Sequence, residues 1–336
     1  MSRRAVQQGF VLPMTLWILA AITIAASYFA LRVHQALDLA RQQQLHVEAL
    51  LDVSDTRAAL LFRLASTPMT VRGLGVGADL LVLDNRPYRT DQGYVQLQDA
   101  RGLLNLATFG DEQMDRLLGS FDIPPPRRSG LTDKLRDYID ADNLKRLNGA
   151  EEPEYRSRGL PPPRNAPLLS SEELRAILDW SDEATLWKPG RTVSDFCIIG
   201  DDSGINPNTA PAEVLMTLPG MTKELVAWVM ERRKIEPVDV ALLDRLAGTG
   251  LIQIPPIVVA FPGSNLRVTQ QSDGLNWALR YNVRLTPRGN VSPWQISAFH
   301  RIERNLVDPR ASNHSEIRPL PALPNQPASA PLRPFG

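Results

Sequence analysis

The chain contains a single cysteine, Cys197. No intrachain disulfide can brace it, and Cys197 reads as a small buried apolar residue. Net charge is also missing: 37 Lys and Arg stand against 37 Asp and Glu. A balanced chain offers no bulk electrostatic footprint for nucleic acid. Catalytic signatures are absent too. His34, His46, His300 and His314 are scattered, and there is no H-E-x-x-H, no G-x-S-x-G and no phosphate-binding glycine loop. Gly73-Leu74-Gly75-Val76-Gly77 is too short, has no lysine after it and reads as a turn. Trp277, Tyr281 and Trp294 read as sheet core. These absences point away from an enzyme.

Charge is lacking over one long stretch. Phe10 to Leu31 is 22 residues without a charged side chain, enough to cross a bilayer as a helix, which takes about 20 residues. Proline and glycine are then absent from Val33 to Ala65. Val33, Leu37, Ala40, Val47, Leu50, Leu51, Ala58, Leu61 and Leu64 recur there at three- and four-residue steps, giving one apolar stripe. The spacing predicts one continuous helix of about 55 residues, on the order of 80 Å long. Its first half lies in lipid and its second half packs on a domain. Arg3 and Arg4 precede the span, so the leader stays in the cytoplasm and the bulk lies outside, in the periplasm of a Gram-negative cell. The expected location is the inner membrane, single-pass.

Pro68 and the glycine-rich residues after it end the helix. Asp79–Leu83 and Gly93–Gln98 then read as strands, the second with clear alternation. Helix-compatible patterns follow over Asp111–Phe121, Leu131–Ile139, Ser170–Trp180, Ala210–Thr217 and Thr222–Arg233. Ser170-Ser171-Glu172-Glu173 and Thr209-Ala210-Pro211-Ala212-Glu213 have the composition of helix starts. Strand patterns return over Ile257–Phe261, Leu266–Gln270, Trp277–Leu285 and Trp294–Ile302. The order predicts an α+β fold: a pilin-like long N-terminal helix on an antiparallel sheet, with a large all-α inserted domain containing a helix-hairpin-helix-like unit. The expected divisions are 1–9 (leader), 10–31 (transmembrane), 32–110 (first part of the pilin-like domain), 111–255 (helical insertion), 256–308 (returning strands) and 309–336 (a proline-rich disordered tail).

The Gly9-Phe10 junction sits before the apolar run. A secretory signal peptide has its cleavage site after a shorter apolar core, and Ser2-Arg3-Arg4 does not continue as a twin-arginine signal. The start resembles a type IV prepilin leader, with cleavage after Gly9 and methylation of Phe10 by prepilin peptidase. A plain signal anchor would share the span and the arginines. Four further stretches resemble general secretion pathway protein K, the large minor pseudopilin of type II secretion systems. They are Gln98-Asp99-Ala100-Arg101-Gly102-Leu103-Leu104-Asn105-Leu106; Leu135-Arg136-Asp137-Tyr138-Ile139-Asp140-Ala141-Asp142 with Asn148-Gly149-Ala150-Glu151-Glu152 and Tyr155; Pro161-Pro162-Pro163-Arg164-Asn165-Ala166-Pro167 leading to Ser171-Glu172-Glu173-Leu174; and Ile205-Asn206-Pro207-Asn208-Thr209-Ala210-Pro211-Ala212-Glu213-Val214-Leu215 with Leu218-Pro219-Gly220-Met221.

That resemblance implies a tip subunit of a periplasmic pseudopilus. It would prime assembly with the minor pseudopilins of the I and J types and support export of folded proteins across the outer membrane. It also implies contact with the inner-membrane secretion platform and with membrane lipid. Most pilins carry Glu at the fifth mature residue, to pair with a neighbour's N-terminal ammonium. Counted from Phe10, this chain has Met14 there. A carboxylate in lipid is costly unless paired, so its absence suits a subunit with no neighbour above it.

Two motifs carry possible chemistry. Asp137, Asp140, Asp142, Glu151 and Glu152 form the densest acid cluster and are a candidate calcium site. They do not match an EF-hand loop, and a solvated surface is the competing reading. The resemblance, whose family includes calcium-bound members, supports the cation. Asp201 and Asp202 are a weaker second cluster. Leu218-Pro219-Gly220-Met221 is the turn of the hairpin-like unit. DNA-binding versions carry a second glycine and clustered basic residues; here Thr222 or Lys223 replaces that glycine, and only Lys223, Arg232, Arg233 and Lys234 are basic nearby. A membrane-anchored DNA-binding or uptake protein is therefore the alternative, although no nucleic acid is expected.

Overall fold

The computed structural model describes residues 11–251, 257–304 and 317–321. Gly9 and Phe10 lie outside the described residues. The chain divides into two compact units, Met1–Asp52 and Val53–Gly336.

Helix α1 is unbroken over Val11–Ser66, as the lack of proline and glycine from residue 33 onward requires. Pro13 falls in its first turn, where its missing N–H costs nothing. Over residues 11–31 the apolar side chains are exposed, among them Leu16, Trp17, Ile22 and Phe29, as a lipid-facing surface demands. The most apolar window has mean hydropathy 1.9 and none of it is buried. The Thr15 and Thr23 hydroxyls donate to the carbonyls of Leu12 and Leu19, so neither needs water.

The second unit begins with the last turns of α1. Val53, Leu60, Leu61 and Leu64 are buried there, and the Arg57 guanidinium lies over the Phe299 ring. Six strands form the main sheet: β1 (Asp84–Arg89), β2 (Gly93–Asp99), β3 (Asn265–Ser272), β4 (Trp277–Leu285), β5 (Trp294–Glu303) and β6 (Arg318–Pro319). Their spatial order is β5-β4-β3-β2-β1-β6. Only β6 runs parallel to its neighbour. The central pair is β2 and β3, in register from Gly93 opposite Ser272 to Asp99 opposite Leu266. Residues 100–264 therefore leave and re-enter the sheet at one end of two adjacent strands.

The insertion has its own apolar core, from Leu104 to Val258, with Trp180, Tyr155, Phe121 and Met114 fully buried. Its helices are α2 (Asp111–Ser120), α3 (Pro125–Ile139), α4 (Glu152–Ser157), α5 (Ala212–Leu215), α6 (Lys223–Ile235) and α7 (Val240–Ala247). Proline in the first turn lets α3 begin six residues before the periodic apolar pattern. Thr222 caps α6 by accepting the Leu225 N–H, and Asp239 caps α7 by accepting that of Ala241. Two short ladders make the insertion helix-rich rather than all-α: Leu104–Asn105 beside Cys197–Ile198, and Trp187–Lys188 beside Arg191–Thr192.

Other expectations need correction. Asp79–Leu83 is not a strand. A 3-10 turn covers Gly77–Asp79 and the Val82 amide donates to Tyr88 Oη, so pairing starts at Asp84. Ser170–Trp180 is not an α-helix but a 3-10 segment, Ser171–Ala176. Ser170 makes no cap bond, and Glu173 is drawn back to accept from the Leu169 amide and pair with Arg164. Ala210–Thr217 keeps one α-turn. Ile257–Phe261 contributes only a bridge from Val258 to Ile205. In the proline-rich tail, Arg318 and Pro319 pair with Tyr88 and Arg89, the Leu320 amide donates to Arg89 O, and Arg63 holds Pro321 O. Residues 317–321 thus add a short strand, because the β1 edge offers them unpaired backbone groups; the rest of the expected tail, 309–316 and 322–336, lies outside the described residues.

Candidate metal centre

The acid cluster forms where α3 ends and α4 begins. Asp137 is on the last turn of α3 and Asp140 follows as its C-cap, with its amide on Arg136 O. The loop then turns at Asp142, whose carboxylate accepts the Leu144 N–H at 2.8 Å. The chain returns through Gly149 to Glu151, the N-cap of α4. Gly149 is the position that permits this: a Cβ there would lie 1.8 Å from Asp137 Oδ2.

Of the five acids singled out in the sequence, the fold brings three together. Asp140, Asp142 and Glu151 each offer an oxygen, all within 4.8 Å of one another. Calcium binds oxygens at roughly 2.4 Å, so two ligands of one ion lie at most about 4.8 Å apart; the trio meets that bound. Asp137 sits behind them. Its carboxylate accepts the Arg146 amide at 3.2 Å and is 3.6 Å from Arg146 Nε. Glu152 is turned away and pairs with Arg156. Asp201 and Asp202 do not join either: Asp201 pairs with Arg284 and Asp202 accepts from Asn265.

The electrostatics favour a cation. Both Glu151 carboxylate oxygens and Asp140 Oδ1 are buried without a hydrogen-bond partner. Buried polar atoms are rarely left so, and each such group calls for an explanation such as an ion. Burial, reinforced by Asp137, Asp140, Asp142 and Glu154, pushes Glu151 up to about 7. Burial and the neighbouring acids raise Asp140 as well. The residues present therefore fit a hard divalent cation, held by Asp140, Asp142 and Glu151. Such an ion would supply charge neutralisation that clamps the α3–α4 loop.

A second constellation was quoted in the sequence for its resemblance but not for its role. At the end of β2, Asp99 is fully buried and four donors surround its carboxylate. The amides of Arg101 and Gly263 reach Oδ1 at 3.1 and 2.9 Å, and Asn206 Nδ2 and Thr209 Oγ1 reach Oδ2 at 3.0 and 2.8 Å. This joint ties the sheet, both entry points of the insertion and the Asn206–Thr209 turn together. Gln98 adds a bond to Thr209 O. Sequence reading missed the role because the partners lie more than 100 residues apart; the only signal was that the two stretches occur together.

The hairpin turn is used for packing. Gly220 has φ +72°, and a Cβ on it would lie 2.3 Å from Ala247 O, at the end of α7. Thr249 Oγ1 donates to Pro219 O. Of the four basic residues nearby, Arg232 pairs with Glu236, Lys234 pairs with Glu231, and Arg233 is turned inward to donate to Pro207 O and Ala210 O. Among the described residues, Lys223 is the one of these four with no ion pair or inward hydrogen bond.

The described residues define an α+β fold: a long apolar N-terminal helix, an antiparallel-rich sheet, and a helix-rich domain inserted between two adjacent central strands. Residues 95–186, which include the Asp99 end of the joint and the whole acid cluster, match the family profile described as type II secretion system (T2SS), protein K. A chain in the crystal structure of the GspK-GspI-GspJ complex from the enterotoxigenic Escherichia coli type 2 secretion system is similar at 17% identity. The similarity covers 78% of this chain and 99% of that one, with a TM-score of 0.48. No curated protein matches the chain.

Proposed function

We propose that this protein is a minor pseudopilin at the tip of a type II secretion pseudopilus. It primes assembly with the I- and J-type minor pseudopilins and supports export of folded proteins. The observation that carries this is the protein K match over residues 95–186, the end of β2 and the first half of the insertion, in a chain whose insertion leaves from two adjacent strands at one end of the sheet. A head of that width caps a filament but cannot be stacked repeatedly inside one. Met14 in place of the usual glutamate agrees with a terminal position. The role is structural rather than catalytic, with the span in the inner membrane and the second unit in the periplasm. Calcium bound by Asp140, Asp142 and Glu151 would hold the α3–α4 loop.

Intact mass of the membrane-purified chain, with and without prepilin peptidase, tests the reading. The expected product begins at N-methylated Phe10. A chain that keeps Met1 and is unchanged by the peptidase overturns it and favours a plain anchored receptor, including the DNA-uptake alternative.

A further inference from the structure

The two edges of the main sheet are treated differently. The β1 edge is covered by the chain's own residues 317–321. On the other side, no described strand pairs with the outer edge of β5. The ladder phase shows which groups that edge presents. The Arg304 amide donates to Asn276 O, so Ile302 and His300, opposite Ala278 and Arg280, are the residues bonded inward. In an antiparallel ladder the alternate residues direct N–H and C=O away from the partner. Arg301 and Glu303 therefore point their backbone groups outward.

Beside this edge lies a cleft of about 530 Å³ between β5 and the insertion. Its inner charges are already matched. Arg280, almost fully buried, donates to Asp195 and Glu172, and His300 Nε2 is 3.4 Å from Glu172. Its rim charges are not. Arg175 is stacked over Trp187 and Arg301 over Trp277, and neither has a carboxylate partner among the described residues. Glu303 lines the cleft with them. Arginine and tryptophan are enriched where binding energy concentrates. The strand is also shaped at this point: Ala298 has φ +49°, and the ladder shifts register between Arg280 and Asn282. Bulges of this kind re-aim side chains next to binding sites.

We propose that the outer edge of β5, with the adjoining cleft, accepts an extended segment of a partner protein as an added strand, acidic side chains at adjacent positions meeting Arg301 on one face and Arg175 on the other. Strand addition supplies affinity through main-chain bonds and specificity through alternate side chains. The proposal is independent of the leader and of the pseudopilin reading.

The test uses the full chain in detergent and three blocked peptides in which pairs of adjacent charged residues are separated by threonines, so that an extended peptide carries charge on both faces. One carries glutamate, one carries lysine, and one is the glutamate peptide with alternate backbone nitrogens methylated. The glutamate peptide is expected to bind and to slow amide exchange in residues 294–303. Binding should fall at least about tenfold in Arg175→Glu/Arg301→Glu, which should take the lysine peptide instead. Arg301→Glu alone should give an intermediate loss and guards against misfolding of the double variant. The methylated peptide should not bind. Failure of the glutamate peptide to bind, equal binding of all three, or protection elsewhere than 294–303 overturns the proposal.

Discussion

Replacing Glu151 by glutamine separates the two things its carboxylate does. In the metal-free protein the charge is a burden: burial and four neighbouring acids lift its pKa from the usual 4.5 to about 7. Because the folded value lies above the unfolded one, its contribution to stability is fully present below pH 4.5 and is lost as pH rises through about 7. The loss is on the order of 3 kcal/mol, at about 1.4 kcal/mol per tenfold change in proton affinity. A cation reverses the sign, since free calcium at 100 times its Kd adds about 2.7 kcal/mol. Glu151→Gln keeps the shape and removes the charge. Without metal at about pH 8 the variant should be more stable than wild type by about 2–3 kcal/mol, and the two should converge toward about pH 4. Calcium at 100 times its Kd should close the difference, and at 1,000 times Kd, where the gain is about 4.1 kcal/mol, the order should invert, because only wild type gains. Unfolding by urea at several pH values, with EDTA or with calcium, reads all four states. Three results refute the reasoning: wild type unchanged by calcium, metal-free wild type gaining stability with pH, or a variant that gains from calcium as much as wild type.

Gly149→Ala drives a methyl into the Asp137 carboxylate; calcium affinity by calorimetry should fall at least about tenfold, with the rest of the fold intact by circular dichroism. Asp99→Asn turns an acceptor into a donor facing four donors. It should cost about 2–4 kcal/mol and accelerate amide exchange at 99–102 and 205–210 together. Gly220→Ala meets both a positive φ and Ala247 O and should cost more than about 1 kcal/mol in urea unfolding.

The elements legible in the sequence were those specified by local pattern. The long helix, β2, α2, α6, β4 and β5 are where periodicity places them, because each is specified by an unbroken run of local pattern. Legibility failed where a side chain took over a backbone partner. Tyr88 claims the Val82 amide and Glu173 claims that of Leu169, and neither claim is written in spacing. The same holds at the site. Composition located the acid cluster, but only the fold shows that Gly149 lets Asp137 settle behind the loop and that Glu152 leaves with Arg156. The Asp99 joint was unreadable as a joint, because its donors come from three separate stretches.

The most direct test of the central claim is co-purification of the periplasmic part of an I-type and a J-type minor pseudopilin on this full chain, with the stoichiometry measured by native mass spectrometry. A tip subunit predicts one complex with a single copy of each of the three chains, and no self-assembled filament of this protein. Failure to hold either partner, or homopolymers of this chain, would contradict the account.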